Sequence, residues 1–226
     1  MRADDTAAPP VFTDAERESF QRLVEARRDM RHFTPGARVE EAVLQRLLSA
    51  AHHAPSVGLM QPWRYVRVVE PALRARMAAM VERERALTAS ALSARADEFM
   101  RLKVEGVRES AELLVAALAP DDGTVFGRRT MPRDMALCSL ACSIQNLWLA
   151  ARADNLGMGW VSMFEPRELA DLLGMPAGAE PVGILCLGPV DRFYDAPMLE
   201  IEGWRQGRSV SAMVFTDRWD ESAAPE

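Results

Sequence analysis

The sequence lacks the long apolar runs of a membrane-spanning protein and the basic excess of a non-specific nucleic-acid-binding protein. No stretch approaches the roughly 18 apolar residues that span a bilayer, because the longest apolar stretches carry Glu, Arg or Asp. The formal net charge is −6 over 226 residues, whereas a non-specific nucleic-acid binder needs a basic face. We therefore expect neither a membrane nor a nucleic acid as partner, and any anion site must be local.

Cysteine and the common catalytic motifs are also scarce. The three cysteines and three histidines form neither C-x-x-C nor H-E-x-x-H, so we expect no metal site, and we expect Cys138 and Cys142 to be buried structural thiols. No G-x-S-x-G surrounds Ser56 or Ser162, and no G-x-G-x-x-G joins a strand to a helix. An odd number of cysteines without framework spacing is typical of a reducing cytoplasm, where we expect the protein to be located.

The composition and the periodicity predict one α+β domain, with helices around a modest sheet. Residues 1–12 are expected to form a loose tail, and residues 13–226 a single domain. Residues 71–108 are rich in helix formers and predict one or two long surface helices that could cover a site. Residues 200–226 are too apolar for a free tail, so we expect an arm that docks on another surface, either of the same chain or of a partner subunit. Further helices are predicted from Thr13 or Asp14 to about Asp29 and over 43–51, 132–154 and 166–173, and strands over 63–69, 113–118, 159–163 and 182–187.

A cluster of arginines follows the first helix and has one acid at its centre. Arg27, Arg28 and Arg31 could bind a phosphate or carboxylate, and Arg208 could join them across the fold. They could equally form a solvated helix face. Asp29 is then either a counter-ion or a positioned acid or base beside an anion site, and the spacing does not decide between these.

Two further segments carry polar groups suited to a ligand. Ser56 and Gln61 lie beside Gly58 in the loop PSVGLMQPW, where the backbone can approach a ligand closely, although a well-formed turn would need the same residues. Ser162 lies in the apolar run GWVSMF. A serine in that position is either a hydrogen-bonded structural residue or a site residue.

Several segments together carry a resemblance to a known family. They read RRDMRHF, HHAPSVGLMQPWRYVRV, LKVEGVRES, FGRRTMP and CSIQNLWLAARADNLGMGWVSMFEP, followed by an arginine-containing tail, and they extend from about Arg27 to Trp219. In order and spacing the chain resembles the flavin-dependent nitroreductase superfamily and, within it, the 5,6-dimethylbenzimidazole synthases. One departure lies after Pro132, where an acidic residue and a tyrosine are expected and this chain has Ala136 and Cys138.

The resemblance implies residue roles that the spacing alone left open. The superfamily pattern is R-R-S-x-R, and Asp29 replaces its serine, which separates the synthase branch from ordinary nitroreductases. Asp29 is then the candidate proton shuttle, and Ser162 a catalytic residue that directs hydrogen bonding at the flavin ring. The implied FMN contacts are Arg27, Arg28, Asp29, Met30, Arg31, Ser56, Gln61, Ser162 and Arg208.

The resemblance also implies a fold, a reaction and partners. The fold would be nitroreductase-like, with helices around a mostly antiparallel sheet and an intertwined homodimer that has flavin at its interface. The reaction would consume reduced FMN and O2 and release 5,6-dimethylbenzimidazole, the lower ligand of cobalamin, with reduced FMN supplied by a separate reductase because a lid over 71–108 limits nicotinamide access. The alternatives are an NAD(P)H-dependent FMN nitroreductase and a flavin-binding protein without catalysis.

Overall fold

Four antiparallel strands form the sheet on which the described part of the chain is built. The computed structural model describes residues 10–124, 127–128 and 130–219, so the predictions for residues 1–9 and 220–226 lie outside it. The sheet has the order β1-β2-β4-β3, and every neighbouring pair is antiparallel, which confirms the expected sheet type. Its strands are β1 (Trp63–Arg67), β2 (Glu112–Leu118), β3 (Gly157–Val161) and β4 (Glu180–Gly188).

Helices cover both faces of this sheet. The first begins at a capping box, in which Thr13 and Glu16 satisfy each other's backbone N–H groups, and α3, α5 and α6 each have a proline in their first turn. No helix within the described ranges is long and apolar enough to cross a membrane. The helices are α1 (Asp14–Ala26), α2 (Glu41–His52), α3 (Pro71–Ala91), α4 (Ala96–Arg101), α5 (Pro132–Ala153), α6 (Pro166–Leu172) and α7 (Met198–Ile201), with 3₁₀ turns at Val57–Leu59, Ser93–Arg95 and Val210–Met213.

Helix α5 is the central helix that its apolar stripe predicts. Leu140, Ile144 and Leu147 are fully buried in a core shared with α2 and the sheet. The expectation of buried thiols on this helix is wrong, because Cys138 and Cys142 are exposed in the chain. Their i,i+4 spacing places both on the face of α5 that turns away from the sheet, whereas Cys186, on β4, is the buried cysteine.

A second core lies on the opposite face of the sheet, beneath α3. Met77, Met80 and Val81 are buried there with residues of β2 and β4. Helix α3 thus lies at the surface and also buries one side, through Met77, Ala78, Met80 and Val81, while five of its seven alanines are exposed. The apolar stripe of α1 is not buried within the chain. Phe20 is 60% exposed, and no residue of this helix is buried.

Candidate active site

The arginine segment, residues 27–31, lies along the outer edge of β3. The Met30 N–H donates to the Met158 carbonyl at 2.9 Å, and Asp29 forms a parallel bridge with Met158. Gly159 permits this close approach, because a Cβ at that position would lie 2.2 Å from the Met30 carbonyl oxygen. The Trp148 indole N–H donates to the Arg28 carbonyl at 3.2 Å. Backbone contacts to β3 and α5 thus fix the position of Asp29.

The Asp29 carboxylate is held by two donors at the end of this edge. Its Oδ1 accepts from the Trp160 N–H at 3.1 Å, and its Oδ2 accepts from Arg31 Nη2 at 2.5 Å. The side chain is still 43% exposed, because it lies at the mouth of a cavity. Asp29 is therefore a positioned carboxylate with one open side, and it also pairs with Arg31.

Burial is the main influence on the protonation of this carboxylate. Desolvation raises the pKa of Asp29 above its ordinary value of 3.8, although the charges of Arg31 and Arg27 and the Trp160 N–H oppose the shift. A carboxyl group with a raised pKa holds a proton more readily at neutral pH than a solvated aspartate does. Asp29 is thus suited to proton transfer.

Arg31 has donors that the surrounding protein leaves without an acceptor. The residue is 8% exposed, and its Nη2 donates to the Trp160 carbonyl at 2.9 Å as well as to Asp29. Its Nε and Nη1 are buried and have no hydrogen-bond partner among the residues that the structure describes. Unpaired buried donors are unfavourable, so these two atoms fit a bound group that brings acceptor oxygens or nitrogens.

Asp29, Arg31 and Ser162 line one cavity of about 230 Å³. Ser162 follows the last residue of β3 and is exposed toward this space. The polar groups lie among apolar side chains contributed by the segment around α4 and by the chain from α7 to Trp204. The sequence indicated these two segments by composition but not these side chains, which include Phe99, Leu102, Val104, Met198, Leu199 and Trp204.

Three other residues of the arginine segment do not reach this cavity. The Arg27 guanidinium lies over the Trp148 ring, 4.7 Å from its centroid. Arg28 donates to the carbonyls of Glu25 and Asp195, and its buried Nε has no partner within the described ranges. The Met30 side chain is fully buried in the core beneath α3, so only its backbone lies near the site.

The loop with Ser56 and Gln61 lies elsewhere on the same chain. The Ser56 hydroxyl accepts from the Gln61 N–H at 3.1 Å, and the Val57 N–H donates to Ser139 on α5. Ser139 is nine residues before Trp148, which contacts the arginine segment, so the two contacts are about 13 Å apart along the helix. One chain alone does not bring this loop to Asp29.

Gln61 instead lines a larger cavity of about 630 Å³, together with Arg64 and Arg133. Asp29, Arg31 and Ser162 are not among its lining residues. Arg208 is exposed in the segment after α7, and neither cavity includes it. We take the smaller cavity as the candidate active site because its polar groups converge there and two buried donors of Arg31 lack partners.

Sequence reasoning did not identify Trp160 or Tyr194 as supports of this site. Trp160 contributes backbone groups only, which no side-chain pattern reveals. The Tyr194 hydroxyl accepts from the Arg31 N–H at 3.2 Å and lies 2.7 Å from His32 Nδ1. Within the part of the chain that the structure describes, no group of three or more His, Cys, Asp or Glu side chains could hold a metal ion.

Comparison with known proteins identifies the class to which this fold and site belong. The model of the nitroreductase family matches residues 24–189, so the chain is a member of the nitroreductase family. The fold is shared with the NADPH:FMN oxidoreductase of Vibrio harveyi, solved in complex with NAD+, at a TM-score of 0.68 and 19% identity over 89% of this chain and 78% of that one.

Within the family, the chain is similar to 5,6-dimethylbenzimidazole synthases. It is 38% identical to the synthase of Rhodobacter capsulatus over 199 residues, which cover 86% of this chain and 95% of that protein. It is 39% identical to the synthase of Rhodospirillum rubrum over 203 residues, 88% of this chain and 95% of that protein. The resemblance that the sequence motifs indicated is thus confirmed.

Proposed function

We propose that this protein is an oxidoreductase that converts reduced FMN and O2 to 5,6-dimethylbenzimidazole, the lower ligand of cobalamin. The observation that carries the proposal is the Asp29 carboxylate, which lies in the cavity beside Arg31 where the family pattern has a serine. The similarity to two synthases over most of the chain supports the same activity.

FMN would supply the reducing equivalents and, in the proposed reaction, the ring atoms of the product. The unpartnered Nε and Nη1 of Arg31 would bind its acceptor atoms, since these donors are buried and preorganised. Asp29, whose pKa burial raises, would hold and move a proton at its carboxylate oxygens. The Ser162 hydroxyl would donate a hydrogen bond within the same cavity, and the apolar walls would exclude water.

A second copy of the chain would complete the flavin site in this proposal. Val57, in the loop that carries Ser56 and Gln61, contacts a different part of α5 from the arginine segment, so Ser56 and Gln61 would contact flavin only across an interface. The exposed face of α5, with Cys138 and Cys142, and the exposed apolar side chains of residues 210–219 are surfaces available for an intertwined homodimer. In the cytoplasm, a separate reductase would supply the reduced FMN.

A second candidate function is that of an NAD(P)H-dependent FMN nitroreductase, in which the flavin is recycled. The fold shared with the Vibrio harveyi NADPH:FMN oxidoreductase favours it. In this alternative the flavin ring is not cleaved. The Asp29 carboxylate would therefore transfer no proton and would serve only as the partner of Arg31.

The test is a single turnover of protein-bound FMN. The flavin is reduced anaerobically on the protein, air is admitted, and small molecules are identified by mass spectrometry. The wild type should release 5,6-dimethylbenzimidazole, whereas Asp29→Asn should lower its yield about 100-fold or more because the proton-transfer group is lost. Ser162→Ala should lower the yield as well, and flavin fluorescence should show that both variants still bind FMN.

Asp154→Asn is the matched control, because Asp154 pairs with Arg46 on the surface and is outside the cavity lining. It should leave the yield unchanged. Recovery of intact oxidised FMN from the wild type would refute the proposal. If NAD(P)H and a nitroaromatic are then turned over repeatedly, the nitroreductase function holds, and if neither reaction occurs, the protein binds flavin without catalysis.

A further inference from the structure

The main chain that follows the arginine segment is held by the residues after β4. The Met30 N–H bonds to β3, and the next N–H of this segment that bonds to a carbonyl is that of Thr34, which donates to Pro189 at 3.0 Å. Between these two bonds, the Arg31 N–H donates to the Tyr194 hydroxyl at 3.2 Å. This hydroxyl is therefore the contact that fixes the main chain at Arg31.

A second contact fixes the Tyr194 hydroxyl itself. His32 Nδ1 lies 2.7 Å from the phenol oxygen, and the two rings meet edge-on with their centroids 6.0 Å apart. The Tyr194 ring also packs against the core beneath α3. The oxygen is therefore held in place both by the packing of its ring and by His32.

The position of the main chain at Arg31 sets the position of its guanidinium. One nitrogen, Nη2, donates to both Asp29 Oδ2 and the Trp160 carbonyl, whereas Nε and Nη1 have no partner within the described ranges. Because a single nitrogen makes both bonds, a small displacement of the main chain weakens both. A buried N–H that loses its acceptor is unfavourable, so loss of the Tyr194 hydroxyl would favour such a displacement.

Arg31 is also the charge that most strongly opposes the effect of burial on Asp29. Burial raises the pKa of Asp29, and the charge of Arg31 is the largest of the opposing influences. Arg27 contributes less, and its guanidinium lies over the Trp148 ring, outside the cavity. Among the described residues that line the cavity, Asp29 and Arg31 are the only charged ones. The contact between Arg31 and Asp29 therefore strongly affects how readily the carboxylate holds a proton.

We propose that Tyr194 is a positioning residue for the reaction, because its hydroxyl fixes the main chain at Arg31 and thereby keeps the Arg31 guanidinium beside the Asp29 carboxylate. The inference rests on the proposed function, in which Asp29 holds and moves a proton. Tyr194 does not line the cavity, so it acts on the carboxylate through Arg31. Without the hydroxyl, Arg31 should move away from Asp29, and the carboxylate should then keep its proton up to a higher pH.

The experiment measures the titration of Asp29 in the full-length protein without flavin. Aspartate is labelled with carbon-13 at its carboxyl carbon, and the Asp29 signal is identified by its absence from the spectrum of Asp29→Asn. The midpoint of its titration should move to higher pH in Tyr194→Phe, by less than in Arg31→Met. Tyr194→Phe keeps the ring and its packing, so this variant should fold. In the product assay, the pH profile of the single-turnover yield should shift in the same direction.

Tyr65→Phe is the matched control, because Tyr65 is the only other tyrosine of the chain. Its hydroxyl lies 2.8 Å from Ser143 Oγ, and it is outside the cavity lining. This variant also loses a hydrogen-bonded hydroxyl, but its Asp29 midpoint should equal that of the wild type. A purely structural effect of losing a tyrosine hydroxyl would shift the two variants alike.

A double variant tests whether Tyr194 acts through Arg31. When Tyr194→Phe is added to Arg31→Met, the midpoint should move no further, because the group that Tyr194 positions is already gone. An unchanged midpoint in Tyr194→Phe, an equal shift in Tyr65→Phe or a further shift in the double variant would overturn the inference. If the midpoints behave as expected but the wild type forms no 5,6-dimethylbenzimidazole from reduced FMN, the coupling of Tyr194 to Asp29 stands and the proposed function falls.

Discussion

Replacement of Gly159 by alanine should damage the candidate site without replacing any residue that lines it. The added Cβ would lie 2.2 Å from the Met30 carbonyl oxygen, 3.3 Å from Arg31 Nη1 and 3.4 Å from Asp29 Oδ1. The nearest of these atoms belongs to the backbone, so no flexible side-chain end can move aside. The arginine segment must therefore shift away from β3 as a unit.

The size of the effect follows from this distance. Ordinary contact begins near 3.4 Å, so the two backbones must separate by roughly 1 Å, a displacement that can lower the rate of a reaction about 100-fold. The shift also strains the bond from the Met30 N–H to the Met158 carbonyl and the bond from the Trp160 N–H to Asp29. Overpacking of this kind destabilises a fold by about 1–3 kcal/mol.

Urea unfolding and the single-turnover product assay measure the two effects separately. Gly36→Ala is the control, because Gly36 has a φ of 73° and nothing within 4 Å of an added Cβ, so its variant is strained but leaves Asp29 in place. We expect both variants to lose stability and only Gly159→Ala to lose product formation. Wild-type product yield in Gly159→Ala would show that the position of the arginine segment does not matter.

Two further predictions concern the protonation and the accessibility of single groups. Burial raises the pKa of Asp29 above 3.8, so the stability that its protonated form contributes is fully present at low pH and is lost as the pH rises through the raised pKa. The free energy of unfolding of Asp29→Asn, measured in urea, should therefore increase relative to that of the wild type as the pH rises above about 4, and a relative decrease would contradict the direction of the shift. Burial also raises the pKa of Cys186 to about 12, so iodoacetamide should label Cys186 only after denaturation, and labelling of the native protein would refute its burial.

The order and type of most elements follow from local physical chemistry. The capping sequence at Thr13, the proline at the start of α5 and the apolar periodicity of α2 each act within a few residues, so they predict helices without knowledge of the fold. Errors arise where distant contacts decide the outcome. Strand β3 begins at Gly157, two residues earlier than predicted, because its glycines make room for the Met30 segment and do not favour a strand by themselves.

The candidate site likewise contains residues that the sequence identified and residues that only the fold reveals. The motif RRDMRHF identified Asp29 and Arg31, and the separate run GWVSMF identified Ser162, yet no spacing indicates that these three side chains share a cavity. The other predicted contacts, including Arg27, Arg28 and Arg208, lie outside it in the chain. Trp160 acts through backbone groups and Tyr194 through a hydroxyl 163 residues away from Arg31, and neither leaves a local signal.

The amino-acid sequence by itself determined the family, the helices and the chemical identity of the acid among the arginines, because these depend on residue type and near-neighbour spacing. Only the tertiary structure decided that this acid lies at the mouth of a cavity, between the Trp160 N–H and Arg31, and that burial raises its pKa. Desolvation and hydrogen-bond geometry are produced by chain segments more than 100 residues apart, so they exist only once β3 and the arginine segment have come together.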